Sequence, residues 1–339
     1  MIVGLKFLLN FSSLKSDIPA VSQNVKINNS DLVFNQYLYP KSESNKSIII
    51  FSGFSVYGFK DSRIDNLARA ICKSGYNVFI PQIESIENLE ITKKTLDEMS
   101  SFIQYIAEEK SFTQSGNVGV LAPSFSGGMI LNAIAKNKLE KYISSICTIG
   151  AFANINSTLT FILYNNQEDD YARNVLLKNF IDYTNQPNKA LLKELLKTAI
   201  EDNGFRREKA KLPELLENLE TDVKLQWLNL NQNVDFRKIL FNEIKLKSSI
   251  VKELETSLNV INHVNEYNIP IVLIHGRTDN VIPAQESIQI YKKRKLQELP
   301  SKLCITDILD HGDASFSFSK LKEIWQLANA FNYFFKHIH

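Results

Sequence analysis

Four short apolar runs punctuate the chain: Ser47-Ile-Ile-Ile-Phe51, Asn117-Val-Gly-Val-Leu121, Ile271-Val-Leu-Ile-His275 and Leu303-Cys-Ile-Thr-Asp-Ile308. Their β-branched content and length predict strands, and their nearly unbroken hydrophobicity predicts strands buried on both faces. Each is followed within a few residues by glycine, at Gly53, Gly127-Gly128, Gly276 and Gly312. Glycine is scarce, 12 in 339 residues, so its placement there marks loops where the backbone turns sharply or is approached closely. Glycine loops at the carboxyl ends of buried strands form a binding crevice.

Amphipathic stretches of helical length lie between and after these runs, at Asp61 to Ser74, Ile91 to Lys110, Gly127 to Asn137, Ala284 to Arg294 and Ser317 to Phe335. Gly75 stops the first, and Asn77 to Ile80 re-enters a short strand before Pro81. The alternation from residue 47 to 150 predicts an α/β domain, a mostly parallel central sheet with right-handed crossovers and helices on both faces. Upstream, Val21 to Ile27 and Asp31 to Tyr39 alternate apolar with polar around Asn28-Asn29-Ser30, the pattern of an antiparallel edge hairpin.

From 151 to 268 the strand signals vanish. Leucine-rich helical segments such as Ala190-Leu-Leu-Lys-Glu-Leu-Leu-Lys197 and Leu212-Pro-Glu-Leu-Leu-Glu-Asn-Leu219 take over. Ile271 then resumes the strand pattern, so the expected organisation is a core of residues 1–150 and 269–339 with a helical cap, 151–268, inserted between them.

Composition narrows the field. At 44% hydrophobic and 22% charged the chain is globular, and 39 Lys and Arg against 37 Asp and Glu leave a formal charge of +2. With no dense basic block interleaved with aromatics, nucleic acid is not an expected partner. Cys72, Cys147 and Cys304 lie far apart, which suits buried reduced thiols and a cytoplasmic setting rather than a disulfide framework or zinc site. No run of about 20 apolar residues suggests a spanning helix. The apolar opening, Met1 to Asn10, is interrupted by Lys6, and no small-residue cleavage site clearly follows, which disfavours export; residues 1–18 read as an amphipathic surface helix, a cap element or an atypical leader, with peripheral membrane contact left open.

The chemistry-bearing segment is Ala122-Pro-Ser124-Phe-Ser126-Gly-Gly128, which follows a buried strand and opens a helix. This is the setting of a nucleophile elbow, where small neighbours flank a side chain held in strained backbone geometry. With Ser124 and Gly128 as the small residues two positions either side, the spacing favours Ser126 as nucleophile, with Ser124 as the competing hydroxyl and the Gly127 amide as an oxyanion donor. A serine nucleophile needs a base held in one tautomer by a carboxylate. Of five histidines, His337 and His339 are terminal, His263 lies in a polar stretch and His275 ends a strand, which leaves His311 in the loop after the last strand. Asp279, in the loop after the preceding strand, is preferred as its partner over Asp307, Asp310 and Asp313, because the order Ser, Asp, His on successive strand-end loops belongs to one hydrolase fold. Gly53 admits close approach of substrate, and the Phe54 amide is the second candidate oxyanion donor.

On Ser52-Gly53, the run Asp61 to Ile71 with Gly75-Tyr-Asn-Val78 and Pro81, Ser124-Phe-Ser-Gly-Gly128, His275-Gly-Arg-Thr-Asp279 with Pro283, and Asp310-His-Gly312, the chain resembles the α/β-hydrolase superfamily over nearly its whole length. Within it, the chain is similar to lid-bearing esterases, monoacylglycerol-lipase-like and dienelactone-hydrolase-like enzymes. Serine is present where many relatives have the histidine of His-Gly. The resemblance implies a serine hydrolase of carboxylic esters or related acyl substrates, acting through an acyl-enzyme without metal or organic cofactor. An acyltransferase or peptidase of the same fold, and a non-catalytic binding protein, remain as alternatives. The expected ligand is a small ester with an apolar acyl part. Phe161, Ile162, Leu163, Phe180 and Trp227 are candidate acyl-pocket residues, though packing within the insertion is their commoner fate, and Arg206, Arg207, Lys209 and Lys211 are either a solvated face or a site for an acidic head group. Oligomeric state is not legible.

Overall fold

A computed structural model describes residues 2–13, 18–27, 30–39, 46–165, 170–309 and 321–339. One sheet holds eight strands: β1 (Val21–Ile27), β2 (Ser30–Tyr37), β3 (Ser47–Ile50), β4 (Asn77–Pro81), β5 (Val118–Pro123), β6 (Ile143–Ile149), β7 (Ile271–Gly276) and β8 (Ser301–Thr306). Their order is β1-β2-β4-β3-β5-β6-β7-β8. The first two form the expected edge hairpin, β2 runs antiparallel to β4, and all other neighbours are parallel.

The apolar runs are explained by what covers them. Ile49, Phe51, Phe79, Val120, Ala122 and Leu273 enter one core, while Ile48, Ile50, Val78, Leu121, Val272 and Ile274 enter the other. Successive side chains thus alternate between two buried faces, and no polar alternation is left to see.

The helices outside the insertion are α1 (Ile2–Ser12), α2 (Ser62–Lys73), α3 (Glu84–Glu87), α4 (Lys94–Glu108) and α5 (Phe125–Asn137). Between β6 and β7 come α6 (Ile155–Tyr164), α7 (Tyr171–Phe180), α8 (Lys189–Gly204), α9 (Leu212–Glu217), α10 (Thr221–Gln232), α11 (Val234–Lys247), α12 (Ile250–Ser257) and α13 (Val260–His263). Helices α14 (Ala284–Leu296) and α15 (Leu321–Lys336) complete the fold. Residues of α4 and α5 fill the first core, and those of α1, α2 and α15 the second, so helices cover both faces. The first described segment is part of this packing: Phe7 is fully buried, its ring 4.5 Å from that of Phe331 and 5.5 Å from that of Phe335. A Cβ on Gly4 would lie 2.0 Å from the Ala328 carbonyl oxygen, so glycine is required where α1 crosses α15. Among the described residues no helix is long and apolar enough to cross a membrane.

Candidate active site

The strand β5 ends at Pro123, and the chain turns into α5 through Ser124. Ser124 has φ 55° and ψ −137°, a conformation that costs a residue with a side chain about 1–3 kcal/mol. The surroundings hold it there. Its N–H donates to the Ile149 carbonyl of β6 at 2.6 Å, and its own carbonyl accepts from Gly127 N–H at 2.9 Å to open the helix. Phe125 therefore occupies the first helical position, whose N–H has no partner within the helix.

This geometry corrects two of the sequence expectations. Ser126 does not occupy the elbow: it lies inside α5, is fully buried, and its hydroxyl donates to the Ser52 carbonyl at 2.5 Å. The Gly127 amide is committed to Ser124 and is not an open donor. The two glycines serve packing instead. A Cβ on Gly127 would lie 2.9 Å from Ala151 Cβ, and one on Gly128 would lie 2.2 Å from the Phe152 ring. Small residues two positions either side also flank Ser124, as Ala122 and Ser126. That spacing, with the strand running directly into Ser124, is the spacing of a nucleophile elbow.

Across the strand ends, Gly53 faces Ser124. Its Cβ position is 3.4 Å from Ser124 Cβ and 3.7 Å from the Pro123 carbonyl oxygen. Phe54 follows, its ring 5.1 Å from that of Phe125. The loop bearing them is tied down by carboxylates that sequence reading missed. Buried Asp61 caps α2, accepts from Ser55 Oγ at 2.6 Å and from Arg63 Nη2 at 2.7 Å and Nε at 3.0 Å. Burial works to raise the Asp61 carboxyl, but the hydrogen bonds from Arg63 and Ser55 with the Arg63 charge outweigh it and hold it below the usual carboxylate value. Glu87 accepts from the Phe59 N–H at 2.9 Å, and burial pushes its carboxyl up against the opposing pull of that amide and of Lys60.

Asp279 lies in the turn after β7. Its Oδ1 accepts from the amides of Val281 and Ile282, both at 2.9 Å. Its Oδ2 is 3.6 Å from His275 Nε2 and 3.4 Å from the Cβ position of Gly150, which has φ +74°. Gly150 thus satisfies two demands, a left-handed backbone and room for the carboxylate. His275, fully buried, positions this turn: Nε2–H donates to the Ile282 carbonyl at 2.7 Å, and Nδ1 accepts from Ser287 Oγ at 2.6 Å. His311 lies outside the described residues, as do Asp310, Gly312 and Asp313.

Gly53, Phe54, Ser124 and Asp279 line one cleft, and Gly204 and Arg206 bring the insertion to it. The structure does not bring the proposed acyl-pocket residues there. Ile162, Leu163, Phe180 and Trp227 are buried in the core, with Phe161 packed against it. Arg207 is paired with Asp202 at 2.7 Å and Glu201 at 2.9 Å. Cys72, Cys147 and Cys304 are free and buried. Among the described residues no cluster of three or more metal-ligating side chains occurs.

No protein-family model matches the sequence, and no curated protein matches it either. Solved structures do. An esterase from Pyrococcus furiosus superposes over 96% of this chain and 93% of its own with a TM-score of 0.54 at 15% identity. A 2-hydroxy-6-oxo-6-phenylhexa-2,4-dienoate hydrolase from Rhodococcus sp. covers 94% of this chain and 99% of its own, with a TM-score of 0.52 at 12% identity. An acylaminoacyl peptidase from Pyrococcus horikoshii covers 97% of this chain at 12% identity and a TM-score of 0.53, but this chain spans only 43% of that peptidase. A putative dipeptidyl aminopeptidase IV from Bacteroides ovatus is likewise matched over 36% of its length. Strand order, the strained strand-to-helix turn and these superpositions agree: the chain has the α/β-hydrolase fold.

Proposed function

We propose that the protein is a serine hydrolase of carboxylic esters, with Ser124 as nucleophile, Asp279 as the orienting carboxylate and His311 as the base. The observation that carries this reading is the left-handed φ of 55° at Ser124, at the head of α5 and in a cleft shared with Asp279 and Gly53. Strain of that kind at a strand-to-helix junction exposes a hydroxyl for attack. His311 takes the Ser124 proton as Oγ attacks the carbonyl carbon, and the Phe54 and Phe125 amides hold the oxyanion. The imidazolium then protonates the leaving alcohol, and water, activated by the same ring, releases the acid. Asp279 holds the tautomer and stabilises the imidazolium. The route needs no metal or cofactor.

Residues 151–268 act in this reading as a cap over the cleft, supported by Gly204 and Arg206 on its wall. The three buried free thiols support a reducing, cytoplasmic setting. The test is fluorophosphonate labelling with mass mapping, followed by turnover of p-nitrophenyl esters. Labelling at Ser124, lost in Ser124→Ala and kept in Ser126→Ala, is the expected result. A folded protein that neither labels nor turns over any ester overturns the reading in favour of a binding protein of this fold. Product analysis with a competing alcohol or amine separates hydrolysis from acyl transfer, and amide substrates test peptidase activity.

A further inference from the structure

The loop that carries Phe54 is held mainly through its side chains. Where it leaves the sheet, the Ser52 carbonyl accepts from Ser126 Oγ, but none of the amides from Gly53 to Val56 finds an acceptor among the described residues. Ser55 is tied at its hydroxyl to Asp61 and at its carbonyl to the Gly58 amide. On either side of it, Phe54 and Val56 pack against a small apolar cluster of Leu89, Val175 and Ile200, which is separate from the two cores of the sheet.

Two of those three residues belong to the insertion, Val175 on α7 and Ile200 on α8. The third, Leu89, follows α3 and is itself held by α7. Asn179 Nδ2 donates to the Leu89 carbonyl at 2.8 Å, Asn179 Oδ1 accepts from the Ile91 N–H at 3.0 Å, and Lys178 Nζ donates to the Asn88 carbonyl at 2.7 Å. Leu89 keeps a φ of 54° under these bonds, a conformation strained for leucine.

The grip continues along the loop. A Cβ on Gly204, at the end of α8, would lie 2.7 Å from Val56 Cγ2 and 3.0 Å from Tyr171 Cε2, and the Phe205 ring meets Tyr57 edge-on at 5.1 Å and 84°. From Phe54 to Tyr57, then, the loop after β3 rests on α7, α8 and the turn that α7 holds. Leu89, Val175 and Ile200 are not among the residues that line the cleft.

Packed side chains transmit displacement, and an oxyanion donor acts only from the place where the charge develops. Resting on the hydrolase reading above, we infer that the insertion is part of the oxyanion apparatus: Val175 and Ile200 are positioning residues that hold the Phe54 amide in place without touching substrate.

The test separates kcat from KM. Ile200→Ala should lower kcat for p-nitrophenyl butyrate about tenfold while KM stays within about twofold, because the lost interaction is made only in the transition state. The inhibition constant of a trifluoromethyl ketone, whose adduct with Ser124 carries an oxyanion, should rise by the same factor. Val175→Ala should act in the same sense, and Ile200→Val, which keeps most of the volume, should restore most of the loss. Leu240→Ala, which empties a buried site on α11 outside the cluster, should leave kcat and the inhibition constant unchanged. Circular dichroism at the assay temperature checks folding, and Val175→Ala decides if Ile200→Ala does not fold. Unmoved constants in the cluster variants, a change in KM alone, or an equal fall in Leu240→Ala overturns the inference, while turnover by the wild type leaves the hydrolase reading standing. A wild type that neither turns over esters nor labels at Ser124 overturns both.

Discussion

The Cβ position of Gly53 lies 3.4 Å from Ser124 Cβ, so the loop after β3 and the elbow after β5 touch through a glycine. A larger side chain at 53 would stand over the serine hydroxyl and displace the Phe54 amide. Gly53→Val is expected to lower kcat/KM for a p-nitrophenyl ester on the order of a hundredfold, the scale of losing an oxyanion donor. Steady-state kinetics on protein shown to be folded by circular dichroism checks it.

Ser124 and Ser126 should separate in both activity and stability. Ser124→Gly removes the penalty of a side chain at φ 55° and is expected to raise the unfolding free energy by about 1 kcal/mol while abolishing turnover. Ser126→Ala loses one buried hydrogen bond to Ser52 and is expected to cost about 1 kcal/mol while keeping fluorophosphonate labelling. Urea unfolding of the two variants reads the opposite signs.

Gly204 is one point at which the insertion rests on the core loop. Gly204→Ala forces a methyl into Val56 and Tyr171, and overpacking of this kind costs about 1–3 kcal/mol. Thermal denaturation should show the loss.

Asp61 gives an acid limb to stability. Its carboxyl is held below the usual value of 3.8 in the folded chain, so its contribution is complete above that value and is lost as pH falls through the folded pKa. Asp61→Asn should cost about 2 kcal/mol at pH 7. The gap between variant and wild type should narrow below pH about 4, where protonation neutralises Asp61 as well. Urea titrations at several pH values test this.

The thiols should be silent in the native protein. Burial pushes Cys72 up to about 12 and Cys304 up to about 11, and raises Cys147 further. At pH 8 a disulfide reagent such as Ellman's is expected to titrate no thiol in the folded protein within minutes and all three in denaturant.

The strands and the insertion were legible in the sequence because burial on two faces leaves continuous apolar runs, and because the helical segments between β6 and β7 carry no such run. The candidate site was legible only to the level of a loop. Asp279 lies in the turn after β7, as expected, but the proposal of Ser124 over Ser126 turns on one backbone dihedral, since Ala122-x-Ser124-x-Ser126 and Ser124-x-Ser126-x-Gly128 satisfy the same spacing. The anchoring roles of Asp61, Ser55 and His275 were not legible, since they arise from partners that only folding brings near. The opening helix was undecidable for a related reason: its apolar stripe is that of a surface helix until α15 is known to cover it.

Both roots of the insertion are held by α14. Glu286 accepts from the amides of Ala153 and Asn154, each at 2.8 Å, where the inserted chain departs. Eight residues on, the buried Arg294 guanidinium donates to the carbonyls of Val264 at 2.6 Å and Ile269 at 2.8 Å, where it returns. One core helix therefore works as a two-point mounting for the segment between them. Excisions that remove the mounts strand a carboxylate and a guanidinium in the interior.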